Sequence, residues 1–374
     1  MENTKDVFAI IVEQPFTLKE KNKMFLDPKT AYPIFALSLC AFVFVITATI
    51  VTSANLPIGS DTYFHLNVAR LYGQGNFSGA FAYIQSINQM PFYPPVYHFL
   101  IAPIALSSDP YTGLRILEMI FLPVTFALTA WVVWKFHGPK AAFISGLVLM
   151  GGWAFLDGAI QARPESIDLL LYPLILWGLL SVQKKYTAFF SALTVYNHGL
   201  AALTNIFGFA IKKLRENTWR KTIILVVISI IPIIALSLYF FGGAMKQWAT
   251  YTPTENPQEA LFWTYPPWIF FYAGISLLGW IFFFKKPQSE IESLLRWGLV
   301  GNLVMLPFWA DRWLQYSSIP LAMLVGINIS RWHDKKLYIV LAAIFIGAWI
   351  YMSNFLLIAI FHGYWQPERF VPAG

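Results

Sequence analysis

The feature that most limits what this chain can fold into is a recurrence of apolar runs close to bilayer-crossing length. A spanning helix needs roughly 20 predominantly apolar residues. Runs near or above that length recur from residue 31 to residue 361. Composition agrees: of 374 residues, 57% are hydrophobic and only 12% charged, with a mean hydropathy of +0.57. No water-soluble core calls for so much apolar sequence. The pattern predicts an all-α, polytopic transmembrane helical bundle of about 11 spans. The expected spans are 31–53, 112–134, 141–157, 167–182, a bent pair 187–197 and 199–211, then 222–242, 267–284, 297–309, 315–330 and 337–361. The short apolar stretch 94–107 reads as a juxtamembrane helix. Residues 1–30 form a polar cytoplasmic tail, 31–361 the membrane module, and 362–374 a short outer tail. About thirty mostly polar residues precede the first run, which does not match a cleaved signal peptide. The single cysteine, Cys40, lies within that run, so the chain offers no internal disulfide.

Charge orients this bundle. With the N-terminus cytoplasmic, twenty of the 26 basic residues fall on inner segments and six fall outside. That split is the positive-inside pattern. Ten of the 19 acidic residues fall outside, so the formal +7 resolves into +11 within and −4 without. Topology and anionic lipid account for the basic side, and nucleic acid is not an expected partner. The largest outer loops are 54–111, 157–167 and 243–266. Function on such a protein is expected where loops and membrane-proximal charges concentrate, on the outer face.

Three outer stretches hold the candidate chemistry. Leu56 to Arg70, LPIGSDTYFHLNVAR, follows the first span. Pro57 and Gly59 break the preceding helix, and Ser60 and Asp61 can cap a new one. Asp61 then has His65 one turn along on the same face, with Tyr63 beside it. Asp61 can be a general base or only a cap. The second stretch, DGAIQARPESID, carries Asp157, Arg163, Glu165 and Asp168 between two spans; Glu165 is also suited to the first turn of a helix begun by Pro164. The third places Asp311 and Arg312 among Trp309, Trp313 and Tyr316. A cation among interfacial aromatics suits a lipid phosphate. Lys246, in the loop 243–266, is a further candidate cation. His98 and His198 lie in apolar helices and read as core histidines. No HxxxH or CxxC spacing supports a metal. Asn76-Phe-Ser is a glycosylation sequon of low specificity.

Taken in order, these pieces resemble the GT-C superfamily of membrane glycosyltransferases. GSDTYFHL resembles that family's first-loop acidic motif, and YPPVYHFLIAP its second juxtamembrane helix. DGAIQARPESIDLLLYPLILWGLL is similar to its second outer loop, and ADRWLQYSSIPLAMLVG to the late loop and span that supply an arginine. The resemblance covers most of residues 31–330. It is distantly similar to protein O-mannosyltransferases, lipid A aminoarabinose transferases and oligosaccharyltransferase catalytic subunits, without the last group's WWDYG motif or C-terminal soluble domain.

The resemblance implies transfer of a sugar from a polyprenyl- or dolichyl-phosphate carrier to a lipid, glycan or protein acceptor on the outer face. Asp61 matches the first-loop acid, the presumed base, and Asp157 or Glu165 the second-loop acids. Arg312 matches the cation near the donor phosphate, with Lys246 and Arg163 as further phosphate-binding candidates. His65, Tyr63, Tyr97, Trp309, Trp313 and Tyr316 are the expected substrate-binding residues. No cofactor is required, because a lipid-phosphate donor leaves as a monophosphate; the second loop has no clean DxD or DxE spacing for a divalent metal. Two other readings stay open: a transporter or flippase for a lipid-linked sugar, and a non-catalytic membrane subunit with the same shell.

Overall fold

The computed structural model describes residues 28–53, 60–88, 94–198, 206–217, 219–228, 230–232, 235, 270, 272–303, 310–332 and 335–361. Within these, the side chains of 28–29, 60–61, 87–88, 310–312, 335–336, 338 and 355–361 lie outside the description. Among the described residues the chain is helical throughout and has no strand, as the apolar periodicity predicts.

The first long helix, α1 (Pro28–Ser53), is followed by three short helices of the first loop: α2 (Ser60–Gly73), α3 (Phe77–Asn88) and α4 (Val96–Ala105). The sequence foresees α2 and α4 but not α3. Asn76 starts α3, its Oδ1 accepting the Gly79 N–H at 2.9 Å, so the sequon asparagine is a helix cap. Asp109 caps the next helix in the same way, accepting the Thr112 N–H at 3.1 Å. That helix, α5 (Pro110–His137), is the second long one. Then come α6 (Pro139–Met150), α7 (Trp153–Ile160), α8 (Pro164–Leu180) and α9 (Lys184–Asn197). After α10 (Phe207–Arg215), a 3₁₀ turn Gly274–Leu278 leads into α11 (Gly279–Phe283). The last three helices are α12 (Glu290–Leu303), α13 (Ala310–Ser330) and α14 (Lys335–Phe361).

Two of these helices are long and apolar enough to cross a membrane, Thr30–Ser53 and Pro110–His137. The pair α6 and α7 makes a third if its two parts count as one span, and they are bent by 85°. The expected run 141–157 is therefore not one straight helix. The bend falls at Gly151-Gly152, and the Gly151 carbonyl that it frees accepts the Ile275 N–H at 2.9 Å. Gly274, at φ +57°, gives the 3₁₀ turn its close approach to that carbonyl, where a Cβ would overlap the oxygen. Irregular backbone inside an apolar bundle persists only when its polar groups are satisfied in this way. The expected bent pair around Asn197-His198 is half visible: α9 ends at Asn197, and 199–205 lie outside the described residues. Most of the expected span 222–242 and the loop 243–266 lie outside them as well.

The core centres on α6, which α13, α5, α1 and α14 surround. Small residues let α6 and α13 come close, as is common between helices in lipid. A Cβ on Gly326 of α13 would overlap Ser145 Oγ and stand 2.6 Å from the Ala141 carbonyl oxygen of α6.

Polar contacts collect at two places. In one, His137 at the end of α5, Glu292 at the start of α12 and Arg331 just after α13 gather around Ser289. Nearby, Lys140 donates to the Trp332 carbonyl at 2.7 Å, and Lys212 and Lys213 share Glu290. All of these basic residues belong to segments expected inside. Burial alone would raise the proton affinity of Glu292, but hydrogen bonds from Arg331, the Gln288 N–H and Ser289 outweigh it and hold the carboxyl below its usual range. The other gathering is the 157–168 segment.

Candidate functional site

Between α7 and α8 the chain turns within three residues. Gln161 and Arg163 are extended, and Pro164 opens α8 with a φ suited to a first helical position. Ser166 Oγ donates to the Gly158 carbonyl at 2.9 Å and also to that of Gln161, stitching the turn across its own neck. This folding brings Asp157, Arg163, Glu165 and Asp168 together, each buried.

Asp157 is held on both oxygens. Oδ1 accepts from Gln161 Nε2 at 2.7 Å, and Oδ2 from the Tyr272 hydroxyl at 3.0 Å. Gln315 of α13 donates to that tyrosine oxygen at 2.9 Å and stands 3.5 Å from Asp157 Oδ2. Arg163 lies between two acids, with Nη2 3.7 Å from Asp157 Oδ2 and Nε 3.6 Å from Glu165 Oε2. Asp168 Oδ1 accepts from Asn197 Nδ2 at 2.8 Å, and the same amide donates to the Pro164 carbonyl at 2.7 Å. His198 closes the set. Its Nδ1 is 3.6 Å from Asp168 Oδ2 and 3.2 Å from the Tyr316 oxygen, and its Nε2 is 3.9 Å from Glu165 Oε1.

Buried charges persist when paired or hydrogen-bonded, and this cluster supplies most of that pairing itself. Three carboxyl groups face one guanidinium and one imidazole in a buried site. Such a site favours a partner with hydroxyl donors or a developing positive charge. Arg163 already stands between two carboxylates. Among the described residues, no group of three or more histidine, cysteine, aspartate and glutamate side chains is arranged to hold a metal ion.

The first outer loop joins the site through one side chain. Tyr97 of α4 is fully buried, and its hydroxyl donates to the Ala162 carbonyl in the middle of the turn. Burial, then the Glu118 and Glu165 carboxylates, push the Tyr97 hydroxyl well above the usual tyrosine range, with Arg163 opposing. It is thus a firm donor. His65 of α2 reaches α4 instead, its Nδ1 2.9 Å from His98 Nε2. Burial, and then His65, hold His98 well below the usual histidine range, with a backbone hydrogen bond at Pro94 opposing. The histidine pair welds the loop helices together. Tyr63 packs against Tyr111, ring centroids 5.7 Å apart; burial, then Tyr111 and Glu118, push its hydroxyl up to about 12.

Of the expected site residues, the structure thus unites Asp157, Arg163, Glu165 and Tyr316, with Tyr97 touching the same turn. Trp313 lies alongside, stacked on Trp280 at 5.8 Å. His65 and Tyr63 sit within the first-loop helices. Lys246, Trp309 and the side chains of Asp61 and Arg312 lie outside the described residues, although the helices that carry Asp61 and Arg312 are described. Sequence reasoning gave no site role to Gln161, Asn197, His198, Tyr272 or Gln315. The break at Asn197-His198 was the one visible signal among them. Neither a scan against protein-family models nor a search of curated proteins finds a match to this chain.

Proposed function

We propose that this chain is a membrane glycosyltransferase that moves a sugar from a polyprenyl- or dolichyl-phosphate carrier to an acceptor hydroxyl on the outer face, by direct displacement with inversion. The observation that carries this reading is convergence. Two of the three stretches singled out separately in the sequence, the 157–168 turn and the first turns of α13 through Gln315 and Tyr316, meet around one buried set of carboxylates, and α4 of the first loop touches the same turn through Tyr97.

The chemistry suits that set. As the bond between sugar and phosphate lengthens, positive charge grows on the anomeric carbon, and fixed carboxylates stabilise it. In this reading Asp157, held by Gln161 and Tyr272, takes that role, with Glu165 beside it. The departing lipid phosphate takes the electron pair and needs a cation, for which Arg312, at the start of α13, and Lys246 are the candidates. Asp61, at the start of α2, is the acid that the resemblance assigns to the acceptor's proton. The acceptor is a lipid, glycan or protein hydroxyl.

The test is a purified chain in proteoliposomes, offered a panel of polyprenyl-phosphate hexoses and an octyl glycoside acceptor. The expected product is an acceptor-dependent glycoside whose anomeric configuration is inverted relative to the donor. No product from any donor, or a product with retained configuration, would overturn the reading.

One observation favours a transporter instead. The 85° bend at Gly151-Gly152 makes α6 and α7 a discontinuous helix whose second half carries Asp157. Broken helices beside buried charges are a transporter device. The same proteoliposomes separate the two, because a transporter moves the lipid-linked sugar between leaflets without an acceptor and forms no glycoside.

A further inference from the structure

We propose that Lys135, with Trp131 and Trp177, forms a binding site for the headgroup of an anionic phospholipid, on the side of the membrane that charge bias assigns to the inside. This inference does not depend on what the buried carboxyl cluster does.

Placement comes first. Lys135 lies in the last turn of α5, and Trp131 is one turn earlier on the same face. The ammonium stands 5.3 Å from the centre of the Trp131 ring and 5.7 Å from that of Trp177, which α8 supplies. Phe136 adds a further ring at 5.9 Å. The two indoles are themselves 5.9 Å apart, and Tyr186 of α9 packs on Trp177 at 6.0 Å. Trp131 is 42% exposed and Tyr186 54%, so the rim of this wall is open at the surface of the bundle. A lysine held between rings from two helices is a cation fixed in place before any anion arrives.

What the wall lacks is an acceptor. The Lys135 ammonium meets rings alone, and no carboxylate among the described residues pairs with it. The Trp177 indole N–H is shielded from solvent and has no acceptor either. A donor left in that state costs free energy that an anionic oxygen recovers. The chain around both carries one sign of charge: 131–140 and 177–186 hold Lys135, Lys140, Lys184 and Lys185, with neither aspartate nor glutamate. The flank of α5 suits an acyl chain. Ile116, Ile120 and Val124 are exposed on the face that carries Trp131 and Lys135, an apolar stripe leading away from the cation. A lipid phosphodiester therefore matches the site at both ends, its oxygens toward the ammonium and the indole, its chains along the stripe. A choline headgroup fits less well, because the Lys135 ammonium already stands over the ring faces that a second cation would need.

The test uses the purified full chain in detergent, titrated with dioleoylphosphatidylglycerol or dioleoylphosphatidylcholine, with bound lipid counted by native mass spectrometry. The wild type is expected to bind its first phosphatidylglycerol roughly tenfold more tightly than phosphatidylcholine. Lys135→Gln is expected to erase most of that preference. Trp131→Leu, which removes a wall but no charge, is expected to weaken phosphatidylglycerol binding about two- to fivefold. Lys286→Gln, which removes an exposed lysine expected on the same side, is expected to leave it unchanged. Equal losses in Lys135→Gln and Lys286→Gln would overturn the proposal, because the attraction would then be diffuse. So would a wild type that does not distinguish the two lipids. Displacement of bound phosphatidylglycerol by glycerol 3-phosphate would overturn it too, since a free phosphate would then be the ligand. If Lys135→Gln does not fold, Trp131→Leu decides: an unchanged affinity overturns the proposal.

Discussion

Tyr97 is the side chain on which two stretches 65 residues apart depend. Its ring fills the space between α4 and the turn, and its hydroxyl satisfies a carbonyl in the middle of that turn. Tyr97→Phe keeps the ring and leaves the Ala162 oxygen without that donor. An unsatisfied buried acceptor costs about 1–3 kcal/mol, so thermal unfolding in detergent should shift down by several degrees. An unchanged midpoint would mean that the hydroxyl does not hold the turn. Legibility at this scale followed chemical type. Asp157, Arg163, Glu165 and Tyr316 could be picked out because charged and aromatic residues are conspicuous at the ends of apolar runs. Gln315 and Tyr272 could not, since their contacts with Asp157 span 158 and 115 residues and no local spacing encodes them. His198 reads as core from the sequence, and its side chain is only 12% exposed in the structure. A lone histidine in an apolar run looks like core, and its partners lie on α8 and α13.

The elements were more legible than their joints. Apolar runs located α1 and α5 to within a few residues, and Pro164 marked the start of α8. The bend between α6 and α7 was hidden because apolar residues continue across it, and only the Gly151-Gly152 doublet betrays it. Whether that doublet bends depends on Ile275 and Gly274, far along the chain, which satisfy the freed carbonyl. The α6–α13 seam is equally non-local. Gly326→Val would drive side-chain atoms into Ser145 and the Ala141 carbonyl and is expected to destabilise the bundle by about 1–3 kcal/mol. The same measurement in detergent checks it, and a wild-type midpoint would show that the seam yields without cost.

For the molecule as a whole, the sequence separates two kinds of polar residue, and they gather in two different places. Lysines and arginines that charge bias assigns to the inner side meet Glu290 and Glu292 in ion pairs. The acid-rich 157–168 turn instead joins the first loop and the start of α13 in the buried cluster. One gathering holds helix ends together; the other buries three carboxyl groups beside Arg163 and His198. That the second performs sugar transfer is the central claim, and Glu165 tests it most directly, since Glu165→Gln keeps the side chain's shape while removing its charge. The measurement is the single-turnover rate of donor-loaded chain in proteoliposomes. Donor binding is expected to persist and the rate to fall roughly 10²–10³-fold. A Glu165→Gln chain that transfers sugar at the wild-type rate would contradict the claim.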